Sequence, residues 1–297
     1  YNEVLAHVVI NAGHVKYLYI NGDENGNSQT GEIIKGGTFD KITIADAGKK
    51  LDDYTALGGK NIVSDDGKIT SSKVDNLKVS IDGQTYNDNV LYRETVTLPS
   101  SDNLGYYYVS NGKSVAYKPG DEIKVTEDMQ LLSIDNISVS IDKKASIRLN
   151  DPTGLRFSAK VTGDEVILDQ SKGLVTEGVL ITSRDLFEQN GSTLTKDSKY
   201  KFIDVKNSGW LNNQIENYAA AVVNIDKSNY TREFIATAYA QIHYQDGSVE
   251  TIYGSEGARY SDSRSVSYIA KQIKLDSNYY NSLSTTNKNI IDRFANN

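Results

Sequence analysis

Alternation of apolar and polar residues is the dominant pattern along the chain, and it predicts strands rather than long helices. In the segment 155–161, Leu155, Phe157, Ala159 and Val161 alternate with polar or charged residues, which would place them on one face of a strand. Further strands are predicted at 15–20, 40–44, 77–81, 90–98, 106–109, 123–131, 145–149, 180–181, 200–205, 218–225, 233–244 and 250–253.

Turn dipeptides separate these strands. Asn21-Gly22, Asp82-Gly83, Asn111-Gly112 and Pro119-Gly120 are residue pairs that favour tight turns, and Asp246-Gly247 separates the last two predicted strands. Short strands with such turns between them are typical of small β-rich domains.

Helical periodicity is confined to a few segments, mostly near the end of the chain. Val266, Ile269, Ala270 and Ile273 follow the i, i+3, i+4, i+7 spacing, and Ser263 is a candidate N-cap for this helix. A last helix is expected to begin near residue 285 and to bury three apolar residues, and a short helix is expected at 45–57. The three buried residues are Ile290, Ile291 and Phe294.

The predicted fold class is mainly β with a few helices, a β-rich α+β protein of several domains. We divide the chain into a small β-rich domain at 1–72, a β-repeat-like domain at 73–135 and a β-rich module with C-terminal helices at 136–297. The small domains are expected to be β-grasp-like or sandwich-like.

The middle segment resembles the internalin-type β-repeat of bacterial surface proteins. The resemblance rests on Thr95–Pro99, Gly105-Tyr106, Asn111–Lys113, Tyr117–Asp121 and Val125-Thr126. The repeat usually has a Gly-Trp pair after the Gly-Tyr strand, where this chain has Tyr-Val-Ser. The resemblance implies an extracellular spacer or adhesion element with a β-grasp-like fold and no catalytic residues.

The last segment resembles a module of large secreted proteins of anaerobic Gram-positive bacteria. The matching motifs are Ala145–Arg148, Thr153–Phe157, 239–247, Ile252-Tyr253 and Arg264–Val266. Such proteins often carry glycan-binding, adhesion or cellulosome-type parts. The resemblance implies an extracellular location, with attachment to the cell surface through parts outside this chain and with neighbouring modules as partners.

Composition and charge exclude several classes of protein. The chain has 39 acidic and 32 basic residues and a net charge of −7, which argues against nucleic-acid binding. It contains no cysteine, so disulfides, thiol catalysis and cysteine-ligated metals are excluded. No run approaches the roughly 18 consecutive apolar residues of a membrane span, so we expect no membrane insertion.

No catalytic motif is present, and we therefore expect no enzyme activity and no cofactor. The histidines are His7, His14 and His243, without a metalloprotease or nucleophile motif, and no metal site is predicted. The segment 23–27 alternates oxygen donors, so it is either a solvated acidic loop or a loose calcium site. No acid stands in an apolar context that would raise its pKa, although a chain with 39 acids leaves an unrecognised glycoside hydrolase as an alternative.

Two arginines have two possible roles. Arg148 and Arg156 are predicted on adjacent strands, on the faces opposite their apolar neighbours. They would either bind a carboxylate or phosphate, or pair with acids such as Glu177 and tie the strands to the helix of Arg264. We favour the second interpretation.

The strongest binding candidate is the segment 207–217, where the single tryptophan stands among amide side chains. An aromatic ring covers the C–H face of a sugar while amides bind its hydroxyls, so this segment is a candidate glycan site; the alternative is that the tryptophan fills a core. The candidate residues are Trp210, Asn212, Asn213, Gln214, Tyr200 and Tyr218.

Tyrosine is unusually frequent, with 20 Tyr against 6 Phe. The groups Tyr17/Tyr19, Tyr106/Tyr108 and Tyr279/Tyr280 would be either stacking platforms or ordinary packing between elements. These features, together with the extracellular bacterial setting that the two resemblances imply, predict a non-catalytic surface module that binds carbohydrate or mediates adhesion, with polysaccharide or a cell-surface glycan as the partner. The alternative is a spacer or protein-docking scaffold beside another functional module.

Overall fold

The computed structural model describes residues 10, 13–20, 38–39, 42–44, 68–69, 72–73, 77–90, 95–110, 112–125, 127–141, 145–211, 215–255 and 257–296. The predicted helix at 45–57, the acidic segment 23–27 and His7 lie outside these residues. The described fold is mainly β with a few helices, which confirms the predicted fold class. Contacts divide the chain into a first unit, 1–111 with 118–133, and a second unit, 112–117 with 134–297. The predicted three-domain division stays a prediction.

Within the described residues, six short strands open the first unit, in two sheets of three. β1 pairs in parallel with β3, and β2 pairs in parallel with β4, while β6 and β5 complete the two sheets by antiparallel pairing. The strands predicted at 15–20 and 40–44 are therefore present in part. The bounds are β1 His14–Val15, β2 Leu18–Ile20, β3 Thr38–Phe39, β4 Ile42–Ile44, β5 Lys68–Ile69 and β6 Ser72–Lys73.

A mixed sheet follows, and its first hairpin turns at Asp82-Gly83 as predicted. Both residues have positive φ, 50° and 77°, as a type I′ turn requires. The next strands are β7 Leu77–Ile81, β8 Gln84–Val90, β9 Thr95–Thr97, β10 Tyr106–Ser110, β11 Lys113–Tyr117, β12 Glu122–Lys124 and β13 Met129–Ser133.

Within the first unit β7 is central, with β8 antiparallel on one side and β13 parallel on the other, and β10 pairs with β13. β9 and β12 form a separate antiparallel pair. The core of this unit includes Val79, Leu131 and three consecutive tyrosines, Tyr106, Tyr107 and Tyr108, each at most 5% exposed. Of the two interpretations of Tyr106 and Tyr108, the structure therefore supports packing.

The second unit is built on two antiparallel sheets that pack face to face. In one sheet β16 is central, with β14 and β15 in succession along one edge and β19 along the other. In the other sheet the order is β18-β17-β20-β21. The strands are β14 Ser138–Ile141, β15 Ser146–Arg148, β16 Gly154–Thr162, β17 Val175–Ser183, β18 Ile203–Lys206, β19 Asn217–Val223, β20 Phe234–His243 and β21 Val249–Tyr253.

Strict alternation explains why β16 has one buried face. Leu155, Phe157, Ala159 and Val161 are at most 3% exposed and face the other sheet, as the sequence predicts. The side chains between them point outward. Because the partner strand β19 alternates in the same way, one side of this sheet is core and the other side faces away from the second sheet.

Five α-helices are present among the described residues, and no helix there combines the length and apolar character that a membrane-spanning segment needs. The predicted C-terminal helices are confirmed, but Ser265 rather than Ser263 is the N-cap of the first, since its hydroxyl accepts from the amide of Tyr268 at 3.1 Å. The helices are α1 Glu165–Leu168, α2 Arg184–Gln189, α3 Val266–Leu275, α4 Ser277–Ser282 and α5 Thr285–Ala295.

Candidate functional site

The segment between β18 and β19 carries the tryptophan singled out in the sequence. Trp210 is half-buried, and its ring contacts Tyr218 edge-on, with 6.2 Å between ring centroids and 81° between the planes. The segment is fixed at its start, because the amide of Asn207 donates to the carbonyl of Glu177 at 2.8 Å and the Asn207 side chain accepts from the amide of Gly209 at 3.0 Å. Trp210 is therefore held next to the sandwich with part of its ring in solvent.

Tyr218 supports this tryptophan from inside the core. It is 1% exposed, and its hydroxyl donates to the carbonyls of Gly178 at 3.3 Å and Tyr239 at 3.4 Å. Burial, with the nearby Glu177, raises the pKa of Tyr218. A ring so fully covered offers no surface to a ligand, so its contribution to a binding site would be to brace Trp210.

Tyr200 lies on the opposite side of the second sheet from Tyr218. It packs against a cluster that includes Leu180, Phe187 and Tyr239, on the outer face of β17 and β20. Its hydroxyl donates to the carbonyl of Thr193 at 2.5 Å, and burial raises its pKa. The structure thus brings Trp210 and Tyr218 together and places Tyr200 elsewhere.

The three amide residues of the predicted site, Asn212, Asn213 and Gln214, lie outside the described residues. Their part in ligand binding stays a prediction.

A groove of about 300 Å³ lies beside this segment, on the outward side of the sheet of β14, β16 and β19. Its polar groups are the hydroxyls of Ser140 and Ser158, the amide of Asn217 and the ammonium of Lys160. Lys160 also makes an exposed ion pair with Glu216 at 3.2 Å. The remaining lining residues are small or apolar, namely Ile141, Ala159 and Leu211.

Sequence reasoning missed the residues of this groove that lie on β14 and β16, although the candidate segment 207–217 includes Leu211 and Asn217. Ser158 and Lys160 could be recognised as outward-facing because they alternate with core residues of β16. Nothing in the sequence indicates that Leu211, which directly follows Trp210, and Asn217 close the groove, because that depends on how the segment 207–217 crosses from one sheet to the other.

Glu177 is a buried acid, so the expectation that no acid has an apolar environment is wrong. It is 1% exposed on the inner face of β17, the face that also carries Val175, Val179 and Ile181. One carboxylate oxygen accepts from Asn207 Nδ2 at 3.2 Å and Gln170 Nε2 at 3.4 Å, and the other has no partner among the described residues. Burial raises the pKa of Glu177, and the two donors only partly offset it.

The predicted pairing of Arg148 and Arg156 with Glu177 is also wrong. Arg148 Nε donates to the carbonyl of Pro152 at 3.0 Å, and Arg156 Nε donates to the Ser146 hydroxyl at 2.9 Å. Arg264 donates to two backbone carbonyls near its own position rather than to an acid.

His243 is engaged with a hydroxyl. Its Nε2 lies 2.8 Å from Thr176 Oγ1, and burial together with Lys206 and Lys196 lowers its pKa. In the part of the chain that the structure describes, no three acidic or histidine side chains converge as metal ligands. Comparisons with protein-family profiles, curated proteins and solved structures find no match to this chain.

Proposed function

We propose that this chain is a non-catalytic, extracellular carbohydrate-binding module of a bacterial cell surface, and that it binds glycan in the groove beside Trp210. The observation that carries the proposal is the groove together with the half-buried Trp210, the residue directly before Leu211 of the groove lining. The extracellular setting rests on the two sequence resemblances.

The chemistry of the groove suits a sugar. Pyranose rings present C–H groups on one face and hydroxyls around the rim, and they are bound by an aromatic or apolar surface together with a few hydrogen-bonding groups. Ser158, Asn217 and Lys160 supply donors and acceptors on one wall, and Leu211 supplies apolar surface. Trp210 directly precedes Leu211, and its half-buried indole is the proposed stacking surface for the sugar ring.

The bracing of Trp210 favours recognition over a purely structural role. A ring held edge-on against the fully buried Tyr218 loses little conformational entropy when a ligand stacks on it, and preorganised aromatic side chains are efficient binding surfaces for that reason.

Affinity electrophoresis against soluble polysaccharides, followed by calorimetry with the best oligosaccharide, tests the proposal. Trp210→Ala and Asn217→Ala are each expected to weaken binding at least tenfold, because they remove the stacking surface and an amide of the groove. Tyr268→Ala removes a tyrosine that is 51% exposed on α3, outside the groove, and is the matched control. It should bind like the unaltered chain.

Asn217→Ala also covers the case in which Trp210→Ala unfolds, since Asn217 is on the outward side of β19 and outside the core. If Trp210→Ala and Asn217→Ala both bound every tested glycan with unchanged affinity, the proposed site would be overturned. An absence of binding across the panel would favour the spacer interpretation. Release of reducing ends by the purified chain would identify a hydrolase instead.

A further inference from the structure

A second, larger cleft lies in the same unit, between the edge strand β15 and the three C-terminal helices. Its volume is about 460 Å³, and the described residues of its lining include no aspartate or glutamate. One wall consists of β15 with the residues after it, and also Arg156 of β16. The other wall consists of side chains from α3 and α5 and from around α4, namely Ile269, Ile273, Tyr279, Leu283, Asn287 and Ile291.

Arg148 and Arg156 are diagonal neighbours on this strand wall. Arg148 pairs with Gly154 in the ladder and Ser146 pairs with Arg156, so both arginines point to the same side of the sheet. Diagonal neighbours in an antiparallel pair are about 7 to 8 Å apart. Two guanidinium groups therefore stand within reach of one ligand.

Neither guanidinium has an ionic partner among the described residues. Arg148 Nε donates to the Pro152 carbonyl, and Arg156 Nε donates to the Ser146 hydroxyl. The terminal nitrogens of both side chains make no hydrogen bond or ion pair with the described residues. In contrast, Arg184 and Arg232 contact carboxylates at 2.7 Å. The Nε bonds fix the guanidinium planes while leaving the terminal nitrogens of each fork free for an anion.

No described residue thus compensates the charge of this wall, although both arginines are half-buried. Partial burial without a counter-charge is unfavourable, and two like charges on adjacent strands add repulsion. An anionic ligand would relieve both. The facing wall requires a different chemistry, because Ile269, Ile273 and Leu283 are half-buried apolar side chains at the edge of the cleft.

We propose that this cleft binds a small amphipathic organic anion, with a carboxylate or phosphate head group on the arginine pair and an apolar body against α3 and α5. This site is separate from the groove beside the segment 207–217, because no described residue lines both. The proposal therefore does not depend on glycan binding.

Calorimetry and methyl NMR with three probes of equal chain length test it: octanoate, octyl phosphate and 1-octanol. At least one of the two anions is expected to bind at least tenfold more tightly than octanol, and whichever of the two binds more tightly identifies the head group. The isoleucine methyl signals of α3 and α5 should shift on binding.

Variants of the strand wall give the second arm. Arg148→Gln and Arg156→Gln should each weaken anion binding at least tenfold, and Arg232→Gln, which alters an exposed ion pair outside the cleft, should leave it unchanged. Ile273→Glu introduces a carboxylate on the facing wall and should abolish anion binding by repulsion. It is a second test in case an arginine variant unfolds.

Equal affinity for octanol and both anions would overturn the proposal. So would unchanged anion binding by folded Arg148→Gln and Arg156→Gln, or no binding of either anion at millimolar concentration. Loss of glycan binding with retained anion binding would contradict the proposed function alone.

Discussion

The ring of Tyr239 covers Gly178 on the neighbouring strand. The two residues are directly opposite in the ladder between β17 and β20, and a Cβ built on Gly178 would lie 2.7 Å from Tyr239 Cε1. Tyr239 is 1% exposed, its hydroxyl donates to Asp204 at 2.7 Å, and the ammonium of Lys196 lies 4.2 Å from its ring centroid. The glycine thus creates the space in which a central aromatic residue of this sheet packs.

Gly178→Ala is therefore expected to destabilise the second unit. The added methyl group overlaps a ring that is fixed by Asp204 and Lys196, and overpacking of this kind typically costs about 1 to 3 kcal/mol. Urea unfolding measures the loss. Gly209→Ala is the matched control, because a Cβ there meets nothing within 4 Å, and it should change the free energy of unfolding little. Equal effects of the two substitutions would contradict this account.

Glu177 should make the unit less stable as the pH rises. Its pKa is raised above the ordinary 4.5 by burial, so the folded state holds the proton more tightly than the unfolded chain. The free energy of unfolding should then decrease from about pH 4.5 upward, through the raised pKa. Glu177→Gln should remove this dependence. The free energy of unfolding of the variant, relative to that of the unaltered chain, should therefore be higher at pH 7 than at pH 4.

Thermal unfolding of both proteins between pH 4 and pH 8 checks this prediction. A pH dependence that is the same in both proteins would show that Glu177 is not its source. Asp185→Asn is a suitable control, because Arg232 holds the pKa of Asp185 at about 2, below the tested range.

His243 should remain neutral to a lower pH than an ordinary histidine. Burial and the nearby Lys206 and Lys196 lower its pKa from 6.5, so the unfolded chain binds a proton that the folded chain does not. The free energy of unfolding should fall as the pH drops below about 6.5. An NMR titration of the imidazole signals measures the pKa, and Lys206→Gln should raise it. A value at or above 6.5 would refute the prediction.

Two serines at the start of α3 should respond in opposite ways to alanine. Ser265→Ala removes the N-cap bond to the amide of Tyr268 and should cost about 1 kcal/mol. Ser267 is 2% exposed, and its hydroxyl has no partner among the described residues. Ser267→Ala should therefore be neutral or stabilising, because it removes an unsatisfied polar group. Chemical unfolding of the two variants distinguishes these outcomes.

The elements that were predictable from the sequence are those whose burial pattern is simple. β16 has a strictly alternating face, and the apolar residues of α3 follow helical spacing, so both are recognisable without knowledge of their neighbours. Short α1 and α2 carry too few apolar positions for such a pattern. The N-cap of α3 was misassigned because Ser263 and Ser265 are both suitable residues, and only the fold shows that Ser263 donates to Glu233 at 2.9 Å.

The candidate sites were less predictable, for a different physical reason. Trp210 stands out by residue type, but the groove beside it depends on strands far apart in sequence. Burial of Glu177 likewise depends on the sheet that packs over it. In the sequence, the available indication of this burial is a charged residue within an apolar strand. The cleft of Arg148 and Arg156 exists because α3 and α5 pack beside β15, a tertiary arrangement that periodicity does not report.

The alternation of β16 has a consequence for how this surface can diversify. Its inward residues hold the two sheets together, while Arg156, Ser158 and Lys160 point outward into the cleft and the groove. Exchanging an outward side chain leaves the interior untouched. Substitutions on this face can therefore change which ligands bind, one side chain at a time. For protein design, the strand offers three positions on one face that can be randomised without changing the core.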